Sequence, residues 1–156
     1  MNRIKLRRFI EEDFSDVYEM ESDVEIMRFT GPGKAQTREE SLKRFSKLLL
    51  PPASSHSGYW AIEDKSLIVG WLMLINNEKI TGEYEIGFMI KKNHWNRGYA
   101  SEAVDYILNV FGKLEEVVQI VATVDVENFA SIRIFKQRNF DERKTKNLIY
   151  FTKRML

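Results

Sequence analysis

The sequence predicts an α/β (α+β) fold: a single domain over residues 1–156, with a mixed central sheet of six to seven strands flanked by about four helices. Three observations carry that prediction. The chain has 156 residues, enough for one well-buried core and too few for two ordinary domains. In its middle, three strand candidates follow one another with only short turns between them, the pattern of an antiparallel meander. From Tyr99 onward helices alternate with strands, which implies crossover connections and some parallel pairing.

Taken in order, Arg3 to Phe9 reads as a short strand with a charged edge. Asp13 is expected to cap a helix running through Met20, and Asp23 to Arg28 adds a further turn or two. Gly31-Pro32-Gly33 breaks the chain sharply. Thr37-Arg38-Glu39-Glu40 is a capping box, because the Thr oxygen and the Glu side chain satisfy reciprocal orphan amides. The helix it opens is expected to bury Leu42, Phe45, Leu48 and Leu49, and Pro51-Pro52 stops it. Ser54 to Gly58 is a polar loop. Tyr59 to Glu63, Leu67 to Ile75 and Glu83 to Ile90 are the meander strands, with turns at Asp64-Lys65-Ser66 and Asn76 to Lys79. Tyr99 to Phe111 is helical by the spacing of Ala103, Tyr106, Ile107 and Val110, and Gly112 can end it. Val117 to Val124 is a strand and Asn128 to Arg138 a helix. Phe140 onward holds one or two strands, including Leu148 to Thr152.

Composition removes several functions. Twenty-four Lys and Arg against 23 Asp and Glu leave a formal charge of +1, which argues against a non-specific nucleic-acid binder. With no cysteine, disulfides, thiolate zinc sites and cysteine nucleophiles are excluded together. His56 and His94 are the only histidines, 38 positions apart, so no metal is expected, and His56 on its Ser-rich loop reads as solvated. There is no Gly-x-Ser-x-Gly elbow, no Walker Gly-Lys-Ser/Thr and no Gly-x-Gly-x-x-Gly. Met1 to Leu6 alternates polar and apolar, and no apolar run approaches the roughly 20 residues of a membrane span. The expected protein is cytoplasmic and neither membrane-bound nor bound to nucleic acid.

The informative stretch runs from His94 to Ala103, between a strand end and a helix start. Gly98 and the small Ala100 let a ligand approach the backbone there, and the helix start offers unpaired amides to an anion. Arg97 adds a fixed charge with five donors. The same residues also suit a plain helix start beside a solvated arginine. A second patch, Asn128-Phe129-Ala130-Ser131, opens the next helix. The strand-helix-strand-helix order places both helix starts near the carboxyl ends of neighbouring strands, where ligands usually bind. Asn128 is equally a good N-cap, and Ser131 equally a first-turn hydroxyl.

Together these residues resemble the GNAT acyltransferases, in the branch that includes ribosomal-protein N-terminal and polyamine acetyltransferases. The resemblance spans almost the whole chain. It rests on Trp95-Asn96-Arg97-Gly98-Tyr99-Ala100-Ser101-Glu102-Ala103 and on Glu127-Asn128-Phe129-Ala130-Ser131. Trp95 stands where the core family pattern has Gln or Arg, a change characteristic of this branch. Asn139-Phe140 replaces the usual Gly-Phe, and Asn tolerates a left-handed helix terminus.

The resemblance implies acetyl-CoA as co-substrate, bound in a split between two central parallel strands, with an amine as acceptor. The pyrophosphate would meet backbone amides of Arg97, Gly98, Tyr99, Ala100 and Ser101, with Lys92 within reach of the adenosine phosphates or free on the surface. The pantetheine arm would pair with Phe88, Met89 and Ile90, hydrogen-bond Asn128 and pack on Phe135. The implied reaction is direct acetyl transfer to a primary amine of a protein N-terminus, a polyamine or another small molecule. Glu85 is the favoured base, sharing a strand face with Glu83; both also suit a solvent-facing sheet edge. Ser131 is the favoured acid, since Phe135 occupies the usual tyrosine position. The acidic residues between Glu11 and Glu25 lie where the family frames its acceptor, and they equally fit a solvated helical face. A homodimer is compatible with the family. The alternative function is a non-catalytic acyl-CoA sensor of the same fold.

Overall fold

The computed structural model describes residues 3–155. Seven strands form one sheet: β1 (Lys5–Arg7), β2 (Gly58–Asp64), β3 (Leu67–Asn76), β4 (Glu83–Ile90), β5 (Gln119–Asp125), β6 (Asp141–Lys144) and β7 (Leu148–Arg154). Five helices flank it: α1 (Phe14–Glu21), α2 (Val24–Met27), α3 (Arg38–Leu48), α4 (Tyr99–Val110) and α5 (Phe129–Gln137). The expected four helices become five because Val24–Met27 forms its own turn, capped by Asp23, whose carboxylate accepts from the amides of Glu25 and Ile26. Strand order is β1-β2-β3-β4-β5-β7-β6, and every neighbouring pair is antiparallel except β4 with β5.

Alternation along the strands sorts side chains into two cores. Ile62, Leu72, Leu74, Ile86, Ile120 and Phe151 face α4 and α5, where Val104, Ile107 and Phe135 close over them. Trp71 and Met89 face the other way, against Val17, Met20, Met27 and Phe45 of α1 to α3. β3 is therefore covered on both faces, which explains its near-continuous apolar run. The second core stops at β4, so among the described residues no helix covers one face of β5, β7 and β6.

Three local expectations change. Asp13 does not cap α1; it is buried, accepts from the Ile10 amide at 2.8 Å and pairs with Arg7 at 2.8 Å. Burial pushes the Asp13 carboxyl up, but the Arg7 hydrogen bonds, the Ile10 amide and the Arg7 charge outweigh it and hold it below the ordinary range. On α3, Leu42 is 51% exposed and Leu49 is exposed, while Ser41 takes the inward position. The Ser41 hydroxyl donates at 2.7 Å to the fully buried Glu21, which also pairs with Arg44. A buried carboxylate needs such partners more than it needs a leucine neighbour. His56 is not solvated, since it pairs with Glu116 at 2.9 Å and packs near Tyr84 and Phe111.

Candidate active site

β4 and β5 pair only over Glu83–Glu85 and Gln119–Val121, and beyond that point they have no shared ladder. Gly82 pins the paired end. Its carbonyl accepts from Val118 and Gln119, and with φ at +82° and Val118 crowding any Cβ, only glycine fits there. Past Glu85 the split opens. The Lys91 amide donates to Val69 on β3, so antiparallel alternation turns the N–H and C=O groups of Met89 toward β3 as well. Those of Phe88 and Ile90 face the split. The expected three-residue edge is thus Phe88 and Ile90, and Met89 contributes only its side chain.

At the start of α4, Gly98 has φ of +81° and supplies no side chain to cap the helix. Glu102, the acidic residue of the first turn, is drawn away. Its Oε1 accepts from the Arg3 and Ile4 amides, and its Oε2 from Arg3 Nε at 2.9 Å. The turn is held from outside. Arg3 donates to the Arg97 carbonyl at 2.8 Å and lies 4.2 Å from the Tyr99 ring centroid, and the Tyr99 hydroxyl donates to Asp64 at 2.5 Å. From the other side, Trp95 donates its indole N–H to the Ile90 carbonyl at 2.9 Å. The amides of Gly98, Tyr99, Ala100 and Ser101 accordingly have no partner among the described residues. Unpaired amides at a positive helix end form a ready anion site. The Arg97 side chain is exposed and does not line the cleft.

The start of α5 is built differently. Asn128 Oδ1 accepts from the Ser131 amide at 3.3 Å, so the capping role is realised. Ser131 is 8% exposed, lines the cleft, and its hydroxyl makes no hydrogen bond among the described residues. Phe135 does not reach the cleft. It is 1% exposed, in the core with Phe140 and Phe151, and its ring lies 6.2 Å from that of Phe88. Helical spacing put it on the buried side of α5, where it underlies the strand edge rather than a ligand.

Both helix starts border one cleft of about 470 Å³, closed on its far side by Ile26, Phe29 and Thr30 from α2 and its following turn. An exposed ion pair, Arg28 with Glu127 at 2.9 Å, joins the α2 side to the α5 side. Lys92 is held by Glu25 at 2.7 Å. His94 lines the cleft, and burial, then the charges of Arg97 and Lys91, push its imidazole below the usual value. The acidic run is mostly engaged in holding the fold: Asp13 with Arg7, Asp16 with Lys91, Glu21 with Arg44 and Glu25 with Lys92.

Glu85 is half-buried, outside the cleft lining, on the strand face it shares with Gly87 and Met89. It has no hydrogen-bond or ion-pair partner among the described residues. Glu83 does: its carboxylate accepts from Asn77 at 2.7 Å and Gln119 at 2.6 Å. The bare helix start and Glu85 therefore lie on opposite sides of the sheet, and the split connects them.

A model of the acetyltransferase (GNAT) domain matches residues 3–140. The chain belongs to the GNAT acetyltransferase family. It is an N-acetyltransferase that takes its acetyl group from acetyl-CoA. It is similar to YnaD of Bacillus subtilis (strain 168), described as an uncharacterized N-acetyltransferase, with 32% identity over 86% of this chain and 77% of that one. In fold it is similar to RimL, a ribosomal L7/L12 alpha-N-protein acetyltransferase solved with coenzyme A. Identity is 14%, the TM-score is 0.84, and 99% of this chain and 96% of that one are covered. It is also similar to a spermidine N-acetyltransferase from Vibrio cholerae solved with CoA and spermine: 16% identity, TM-score 0.78, and 99% and 97% covered.

Among the residues that shape this GNAT site, Arg3, Ile26 and Phe29 carry no mark of it in the sequence. Arg3 meets its partners across more than 90 positions, and local pattern carries no signal at that range. Trp95 did carry one, since it occupies the position of a motif residue. Among the described residues no cluster of groups can hold a metal ion, and no helix is long and apolar enough to cross a membrane.

Proposed function

We propose that this GNAT acetyltransferase passes the acetyl group directly to a primary amine, with Glu85 as base and Ser131 as proton donor to the leaving thiolate. The observation that carries the reading is the division of the two roles across the sheet. Four unpaired amides at α4 await the pyrophosphate on one side, and the unpartnered Glu85 carboxylate stands beside the split on the other. The Phe88 edge and the Ile90 amide, which β5 leaves unpaired, suit the amide-bearing pantetheine arm, and Asn128 borders its path.

An alkylammonium has no lone pair, so Glu85, directly or through water, takes one of its protons before attack. The amine nitrogen bonds to the thioester carbonyl carbon, and a backbone N–H of the β4 edge stabilises the developing oxyanion. The C–S bond then breaks, the electron pair stays on sulfur, Ser131 supplies a proton to the thiolate, and the nitrogen's second proton, released as the amide forms, returns through water to the Ser131 oxygen. The cytoplasm is the compartment we infer, since the reaction draws on a pool of acetyl thioester.

The test is release of free coenzyme A thiol from acetyl-CoA with a panel of primary amines. Amine-dependent release is the expected result. Saturable acetyl-CoA binding without release for any amine would make the chain an acyl-CoA sensor instead.

A further inference from the structure

The sheet face that carries Glu85 continues past the split with no helix over it. Register fixes which side chains share that face: Glu85 stands opposite Val121, Val121 opposite Thr152, Thr123 opposite Tyr150, and Tyr150 opposite Arg143. The alternate residues Ile120, Ala122, Val124, Ile149 and Phe151 lie in the core beneath α4 and α5. The row Thr123, Tyr150, Arg143 therefore forms the far lip of the split on the side where Glu85 awaits the amine.

Arg143 is oriented but unpaired. Its guanidinium lies 4.5 Å from the Tyr150 ring centroid, and it makes no ion pair among the described residues. Glu142, its neighbour in sequence, faces away and pairs with Lys136 at 3.7 Å. Asp141 shares the face but stands opposite Thr152, and it does not pair with Arg143. Stacking on a ring covers the flat face of a guanidinium and leaves its fork of N–H donors along the edge, the geometry that receives a carboxylate with two bonds. Strands are spaced about 4.8 Å apart, so a guanidinium folded over β7 sits about one strand beyond β5. Counted from β4, which carries Glu85, that is at least two strand spacings, roughly 10 Å, which the Glu85 and Arg143 side chains reaching toward each other reduce to a few bonds of acceptor.

We propose that Arg143, stacked on Tyr150, binds a carboxylate of the acceptor, so that the acceptor is a small amine with a free carboxylate, of the amino-acid class. A polyamine would bring a second cation against an unpaired arginine and leave that donor fork empty. The inference rests on the reading that the Glu85 face receives the acceptor.

Coenzyme A release is measured for a panel of amino acids, each matched with its carboxamide, and for spermidine, with wild type, Arg143→Gln and Arg143→Lys. Wild type should prefer acids over their amides. Arg143→Gln should raise KM for the acids at least tenfold with kcat nearly unchanged, and Arg143→Lys should recover part of the loss. Turnover of the amides should be unchanged in both variants, which also shows that they fold. An acid-to-amide preference that Arg143→Gln leaves intact, or a wild-type preference for amides or spermidine, overturns the proposal while leaving the transferase reading in place. Release with none of the amines, although acetyl-CoA binds, overturns both.

Discussion

Helices α4 and α5 begin on the same cleft, after neighbouring strands that run in the same direction, yet the two starts are finished in opposite ways. α5 caps itself: Asn128 Oδ1 takes the Ser131 amide. α4 has Gly98 where a capping side chain would stand, and its one nearby carboxylate, Glu102, is drawn off by Arg3. A glycine in place of a side-chain cap costs only about a few tenths of a kcal/mol. That cost is tolerated at α4, where Arg3, Trp95 and Asp64 brace the turn from outside and leave its amides to an anion. At α5 the amide is satisfied internally, and the part left open is the Ser131 hydroxyl. On the proposed reading, the difference teaches that α4 is built to bind and α5 to place one polar group.

The largest effect should come from a residue at neither start. If both helices only bind and place, proton removal belongs to Glu85, and Glu85→Gln should lower turnover by roughly 10²–10⁴-fold at neutral pH. The loss should shrink at high pH, where the free amine needs no base, and acetyl-CoA affinity should hardly change. Wild-type turnover would pass the role to water, because Glu83 is already committed to Asn77 and Gln119.

Next in size is Gly98→Trp. A φ of +81° and a turn open only to backbone approach leave no place for a bulky side chain beside bound pyrophosphate. Calorimetry should show acetyl-CoA affinity weakened on the order of 100-fold, which is about 2.7 kcal/mol. The nearest atom to a Cβ there is the end of Arg3, at 3.5 Å, so the side chain has room, and the left-handed φ costs about 1–2 kcal/mol of stability, read as a fall in Tm of a variant that still folds.

At α5 smaller and separable effects are expected. Asn128→Ala removes the cap and should cost about 1 kcal/mol of stability, read as a fall in Tm, with a modest loss of acetyl-CoA affinity. Ser131→Ala should be the mildest, slowing turnover severalfold at unchanged affinity. A thiol of reference pKa about 8.5 leaves near neutral pH without full protonation, so the acid helps without being indispensable. If Ser131→Ala instead loses affinity at constant kcat, its hydroxyl is a binding contact.

How far the sequence reached depended on how local each feature is. The Thr37–Glu40 capping box and the left-handed Asn139 are settled within a few residues and stand as read. The strands of the meander are right to within about a residue, because alternation is a local property. Phe135, Leu42 and Asp13 were misplaced because their surroundings come from elsewhere: the underside of Phe88, a buried Glu21 that prefers Ser41, and Arg7 reaching from β1. The motif around Gly98 was visible, but the reason its amides stay free was not, since Arg3 lies some 95 positions earlier. The Arg143–Tyr150 pair was invisible for a similar reason. Only the β6–β7 register places it on the Glu85 face.

The contrast between the helix starts can be read directly from backbone amide resonances in a titration of the isotope-labelled protein with coenzyme A. The account predicts that the Gly98, Tyr99, Ala100 and Ser101 amides show the largest downfield shifts, as new hydrogen bonds form, while the Ser131 amide stays close to its free position. The contradicting result is the reverse: a large shift at Ser131 with the four α4 amides unmoved.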